Sequence, residues 1–333
     1  MNTLKIKAPK PFGAIISNDA TKYLQYAVSG AKKVLIVADE TVFRSYGNSI
    51  KKIARAECEN VYTFIYPAGE NGRTKHCLDK LLILMTELGI TSSDCLVAFG
   101  GRSSASIVGL ATKIFNGGIP YVFVPTTLMG MIDPVLDGKV GVDFLGRKQL
   151  LTTINHPIAC FIDTTYLKTL PSECMRDGYA EIIRRAMIGD GNLIREMQVR
   201  KPNLEDMIYS AIKVAENCKN NKGFKNKWYF ALNFSEVAEK NCAIGTSFDK
   251  LIGFGIVTSI DTAMALGVSY GLEEQMLELL AKYGIKWDVG LSINKTWEKI
   301  GEYNGKKITL VLPKAYGRVK VVKITKEKIK ESF

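Results

Sequence analysis

The chain has 333 residues, 47% of them hydrophobic and 23% charged, with a formal net charge of +12. That length supports a sizeable core and two domains, and no apolar run nears the roughly 20 residues of a membrane span. The N-terminus, MNTLKIKAPKPFG, lacks the apolar centre of a signal peptide, so a cytoplasmic protein is expected. The basic surplus favours anionic ligands by steering. The lysines are spread along the chain without interleaved aromatics, which argues against nucleic acid. Cys58, Cys77, Cys95, Cys160, Cys174, Cys218 and Cys242 are scattered with no CxxC pair, as for free thiols rather than a zinc ribbon or a disulfide scaffold.

Lys33–Ala38 (KVLIVA) is a short β-branched apolar run and reads as a buried parallel strand. Asp39 follows it, where a carboxylate can bind ribose hydroxyls or cap the next helix; both readings stay open. Asn60–Tyr66 predicts a second strand, Pro67–Glu70 a turn and Cys77–Leu88 a helix. Cys95–Phe99 predicts a third strand, which enters Gly100-Gly101-Arg102-Ser103-Ser104 ahead of a helix at Ile107–Phe115. Strand, glycine pair, helix is a layout that lets backbone N–H groups approach a phosphate. Gly117-Gly118 then turns the chain into a strand at Ile119–Val124.

The stretch Phe123–Lys148 reads as that buried strand ending in a long polar connection, with Thr126, Thr127, Asp133, Lys139 and Lys148. It suits either an anionic ligand or a solvated loop. Beyond Asp163 strand-like runs become scarce until Ile308–Leu312 and Val319–Ile324. The expected fold is therefore an α/β, doubly wound, Rossmann-like N-terminal domain over 1–163 and a mainly α-helical domain over 164–333 with a small terminal strand pair. Lys219–Lys227 is the most loop-like segment, and KITKEKIKE near the end suits a solvated helix or tail. On the helix Gly178–Ile188, Glu181 shares a face with Arg184 and Arg185, and Glu236 pairs in the same way with Lys240. Each set reads as a solvated ion pair worth about 0.2–0.5 kcal/mol.

Several stretches together resemble one family. They are GGRSSASIVGLATKIFNGGIPYVFVPTTLMGMIDPVLDGKVGVD, FIDTTYLKTLPSECMRDGYAEIIRRAMI and ALNFSEVAEKNC, with DET, PAGE and GKKITLVLP in matching order. They look like 3-dehydroquinate synthase and its sugar-phosphate cyclase relatives. The resemblance implies a nucleotide-binding α/β domain, a helical metal and substrate domain, an active site in the cleft between them, bound NAD, a divalent metal that is usually zinc, and a homodimer. It implies a small phosphorylated sugar-like substrate. A ring alcohol is oxidised, phosphate is eliminated, the ketone is reduced again and a carbocycle closes.

Carried over residue by residue, the resemblance gives Asp39, Glu70, Arg73 (for a lysine), Gly100, Gly101, Thr126 and Thr127 to the cofactor. It gives Asp133, Lys139, Lys148, Arg184 (for a lysine), Asn233 and Lys240 to catalysis and substrate, and Glu181 to the metal. The departures are extensive. Glu236, Lys240 and Phe248 stand where the family has histidines, so a zinc site of the family kind is not expected. Glu181, Glu236 and Asp249 offer oxygen ligands for a harder cation instead. Gly117 and Tyr229 stand for phosphate-binding arginines, Gln149 for an asparagine, Arg102 for the third glycine of the cofactor loop and Ser106 for an aspartate. Three expectations follow: a cyclase with an altered site, a catalytically inactive homologue used for binding or regulation, and an NAD-dependent polyol dehydrogenase.

Overall fold

The computed structural model describes residues 1–133, 136–243, 245–303 and 307–325, without the side chains of 70, 71, 293, 301–303 and 307. The chain divides into two compact units, Met1–Leu170 and Pro171–Phe333.

In the first unit the strands are β1 (Asn2–Ile6), β2 (Phe12–Ser17), β3 (Val34–Asp39), β4 (Val61–Tyr66), β5 (Cys95–Gly100), β6 (Tyr121–Pro125), β7 (Lys139–Phe144), β8 (Arg147–Ile154) and β9 (Ala159–Asp163). Among the described residues seven of them form one sheet in the order β1-β2-β9-β6-β5-β3-β4, parallel except for the β1–β2 edge pair. The helices are α1 (Leu24–Val28), α2 (Glu40–Arg55), α3 (Lys75–Glu87), α4 (Arg102–Ile114) and α5 (Leu128–Ile132). The central strands are apolar throughout because both faces are covered: every residue of β5 is buried. From β3 the chain crosses to β4 on one side, and from β4 it returns past β3 to β5 on the other, so the strand order reverses between β3 and β5. Ligands of open α/β sheets sit at such a switch point, beyond the carboxyl ends of the strands.

The Rossmann-like parallel sheet and helical second half agree with the sequence reading, but two segments do not. The connection after β6 is not an open loop. Thr127 caps α5 by accepting a hydrogen bond from Gly130 N–H at 3.0 Å, and 139–154 forms the antiparallel hairpin β7–β8. Alternation was present there, with Val140 and Val142 buried, but the lysines and glycines masked it. The β1–β2 hairpin was also missed, although Leu4 and Ile6 alternate inward from Lys5.

The second unit comprises α6 (Ser172–Gly189), α7 (Gly191–Val199), α8 (Leu204–Asn220), α9 (Leu232–Asn241), α10 (Phe248–Ala265), α11 (Glu273–Lys282), α12 (Ile293–Tyr303) and the hairpin β10 (Lys307–Ala315) and β11 (Arg318–Thr325). The segment 219–227 is loop only in part, between α8 and a 3₁₀ turn at Lys225–Tyr229. Residues 326–331 of KITKEKIKE lie outside the described residues. α10 packs against α6, α9 and β10, and Phe234, Phe254, Trp297, Ile300 and Leu310 share one core with it. A methyl group on Gly255 would lie 2.4 Å from the Ala231 carbonyl oxygen, so glycine permits the close approach of α10 to the start of α9. No helix among the described residues is long and apolar enough to cross a membrane.

On α10, burial raises the Asp261 carboxyl from 3.8 to about 6, with help from Glu273. A folded value above the unfolded one means that ionisation opposes folding, so this stability is lost as pH rises from about 4 to about 6. Asp261 is only half-buried, so screening reduces the effect. Asp261→Asn is expected to stabilise the protein by about 1 kcal/mol near neutral pH, and not below about pH 4, in thermal melts across pH.

Candidate functional site

At the switch point, β3 and β5 run side by side with Ala38 opposite Phe99, and β5 and β6 with Gly100 opposite Pro125. Their carboxyl ends bring Asp39, Gly100, Gly101, Thr126 and Thr127 together. Asp39 fulfils the helix-cap reading: its Oδ1 accepts from Thr41 N–H and Val42 N–H, both at 3.0 Å. Its other oxygen lies 3.3 Å from where a Gly100 Cβ would stand. Burial raises the Asp39 carboxyl, with the Val42 and Thr41 N–H groups opposing. Gly100 has φ +149°, and a methyl there would strike Ser104 Oγ at 2.2 Å. Its glycine is therefore required by the fold itself. Gly101 precedes α4 without a side-chain cap, so the positive end of a thirteen-residue helix faces this edge. Thr126 is 4% exposed and its Oγ1 is buried with no hydrogen-bond partner. An orphaned hydroxyl, a carboxylate oxygen and an uncapped helix start suit a dinucleotide's ribose and phosphates.

Beside this edge, Arg102, Ser106, Asp133, Asp137 and Lys139 line a polar pocket of about 10 Å³, room for about one water. The Arg102 guanidinium stands 3.9 Å from Asp133 Oδ2, half-exposed. Asp137 was not anticipated, although it accepts from Lys139 N–H at 2.9 Å. Arg73 and Lys148 lie elsewhere. Arg73 is buried and donates from Nε and Nη2 to Asp143, both at 3.2 Å, tying the start of α3 to β7. Lys148 is exposed on β8. The Glu70 side chain lies outside the described residues.

In the second unit, Asn233, Glu236 and Lys240 line one face of α9. With Tyr229, Val237, Ile300 and Leu310 they form a pocket of about 320 Å³. The pocket is polar on α9 and apolar on the α12 and β10 side. Asn233 Oδ1 is buried and has no hydrogen-bond partner, an acceptor suited to a ligand hydroxyl. Tyr229 is 50% exposed.

Glu181, Arg184 and Arg185 are not at the surface. They are 4%, 1% and 1% exposed. Arg184 donates from Nε to Glu181 Oε2 at 2.7 Å and from Nη2 to Oε1 at 2.8 Å, and Arg185 donates from Nε to Oε1 at 2.7 Å. Arg184 Nη1 donates to the carbonyls of Trp228 (2.6 Å) and Phe230 (3.2 Å). Both guanidiniums stack on the Trp228 ring, at 4.5 and 5.0 Å. Burial favours the neutral acid, but the two guanidiniums outweigh it and hold the Glu181 carboxyl down at about 2. Arg184 is thus turned inward, as a positioning group. Nothing in the sequence marked Trp228 as its partner, because the contact joins residues 44 positions apart.

This donor set does not fit a divalent metal. Both Glu181 oxygens are taken by guanidinium N–H groups. Asp249 is 2% exposed and pairs with Arg176 at 3.4 Å. Among the described residues no group of three His, Cys, Asp or Glu side chains could hold an ion.

Residues 63–177 match the family model for the 3-dehydroquinate synthase N-terminal domain. The chain is 27% identical to 3-dehydroquinate synthase of Clostridium acetobutylicum, over 93% of this chain and 91% of that protein. It is 26% identical to the enzyme of Helicobacter pylori, over 90% of each. A 2-deoxy-scyllo-inosose synthase solved with carbaglucose-6-phosphate, NAD+ and Co2+ has the same fold, with TM-score 0.80 and 17% identity over 99% of this chain and 98% of that one. A 2-epi-5-epi-valiolone synthase from Streptomyces hygroscopicus, with NAD+ and Zn2+ bound, superposes with TM-score 0.81 and 21% identity over 100% and 97%.

Proposed function

Since the chain belongs to the family of 3-dehydroquinate synthase-like sugar-phosphate cyclases, we propose that it binds NAD at the β3–β5–β6 edge and eliminates phosphate from a phosphorylated sugar-like substrate with lysines in place of a metal. The observation that carries this reading is the convergence of Asp39, Gly101 and the orphaned Thr126 hydroxyl at the switch point.

When bound, NAD supplies a temporary hydride acceptor. In this reading Asp39 receives ribose hydroxyls on the oxygen that its cap leaves over, and the start of α4 receives phosphate. Asp133 orients the reacting hydroxyl. Lys139, which lines the pocket with Asp133, neutralises the departing phosphate. In the second unit, the α9 pocket offers Asn233 Oδ1 as an acceptor for a ligand hydroxyl and Lys240 as a cation for an anionic ligand oxygen. Glu236 accepts from a neighbouring hydroxyl. A carbonyl at the oxidised carbon acidifies the adjacent C–H, which allows the phosphate to leave.

A second reading, a homologue that binds without turnover, is favoured by the Arg102 guanidinium standing against Asp133. One experiment separates the two. With NAD and the family's phosphorylated seven-carbon substrate, the first reading expects an NAD-dependent rise in Tm together with phosphate release. A rise in Tm without phosphate selects the second reading, and neither signal ends both.

A further inference from the structure

We propose that the buried Glu181–Arg184–Arg185 cluster is a built-in replacement for a divalent cation, which fixes the segment opening α9 without any metal. The charges match in principle: one carboxylate with two guanidiniums carries a single net positive charge, as would a divalent ion held by one carboxylate and two neutral imidazoles. The cluster is built on Glu181 itself, the residue that the resemblance gives to the metal. What the guanidinium adds is reach. The Arg184 fork spans two segments, bonding Glu181 with two N–H groups and turning a third nitrogen to the carbonyls of Trp228 and Phe230.

The second of those carbonyls immediately precedes Ala231, a non-glycine residue at φ +65° and the residue from which α9 starts. Such a conformation persists only where its surroundings over-determine it. Arg184 bonds the carbonyl before it, α10 closes over it at Gly255, and Trp228 lies under both guanidiniums. Tyr229 and Asn233, which line the α9 pocket, flank this point. The cluster is therefore a positioning device, and the pocket it sets needs no metal.

The test uses the full-length protein. Purified from metal-supplemented medium, it should carry substoichiometric divalent metal by elemental analysis. Its Tm should not change with EDTA or with added Zn2+, Mn2+ or Mg2+. Arg184→Ala should lower Tm by about 10 °C and speed amide exchange across 228–236. Guanidinium at low millimolar concentration should recover part of both losses in the variant and neither raise Tm nor slow exchange in the wild type. The proposal is overturned by an equimolar bound metal, by a saturable metal-induced rise in Tm that Glu181→Gln abolishes, or by a folded Arg184→Ala protein that guanidinium does not rescue. If Arg184→Ala is not recovered folded, the wild-type metal measurements decide alone. Absence of cyclase activity would end the cyclase reading and leave this result untouched.

Discussion

Glu181→Gln is expected to destabilise the second unit by about 3–5 kcal/mol, the cost of leaving a buried charge without its partner. The change keeps the shape of the side chain and removes the charge that two guanidiniums share. Arg184 and Arg185 are each 1% exposed, so neither can turn to water without opening the core. Replacing all three residues with apolar ones of similar volume should cost less than Glu181→Gln alone, because the desolvation of the ions disappears together with their attraction. Urea unfolding followed by tryptophan emission is well suited to this test, since Trp228, Trp287 and Trp297 all lie in Pro171–Phe333. A Glu181→Gln midpoint within experimental error of the wild type would refute the expectation. The pH dependence has a definite sign. The folded carboxyl is held at about 2 against an ordinary value of 4.5. The stabilisation is therefore complete above about pH 5 and is lost as pH falls toward 2. Wild type should converge on Glu181→Gln across that acid range.

The second large effect concerns Asp39, which has two tasks on two oxygens. Asp39→Ala removes both. It should lose about 1 kcal/mol of stability with the cap of α2 and weaken NAD binding by about 10- to 100-fold, the range for a hydrogen bond to a charged group. Asp39→Ser keeps an oxygen able to cap and lacks the second carboxylate oxygen beside Gly100. It should bind NAD as poorly as Asp39→Ala with the stability of the wild type. Isothermal titration with NAD, beside thermal melts of the same samples, reads the two tasks separately. If Asp39→Ser bound NAD normally, the carboxylate would be a cap and nothing more.

How much of this was legible in the sequence depended on the range of the physics involved. The parallel strands were readable because strands covered on both faces must be apolar end to end, as VLIVAD and CLVAFG are. The terminal strand pair was readable for a similar reason. The β7–β8 hairpin was not, because its charged ends and two glycines mimic a loop, and its inward valines are too few to show a period. At the cofactor edge Asp39 was marked by its place after a strand, with cap and ligand roles left open; the cap bonds settle the first of these. The α9 spacing placed Glu236 and Lys240 on one face, but its pocket needed Ile300 and Leu310 from distant elements.

Glu181 shows where local reading stops. Its spacing to Arg184 and Arg185 follows from the helix repeat, and the sequence suffices to show that the three side chains meet. Whether they meet in water or in a core is a matter of what lies over them. α6 is covered by α8, α10 and the turn at Trp228, so a pair that would be nearly neutral in solvent becomes a buried ionic cluster in a low dielectric. The fold class and the residues that carry charge are properties of pattern. The strength of each charge, and which ligand it excludes, depend on burial, and burial is the sum of contacts between segments far apart in the chain.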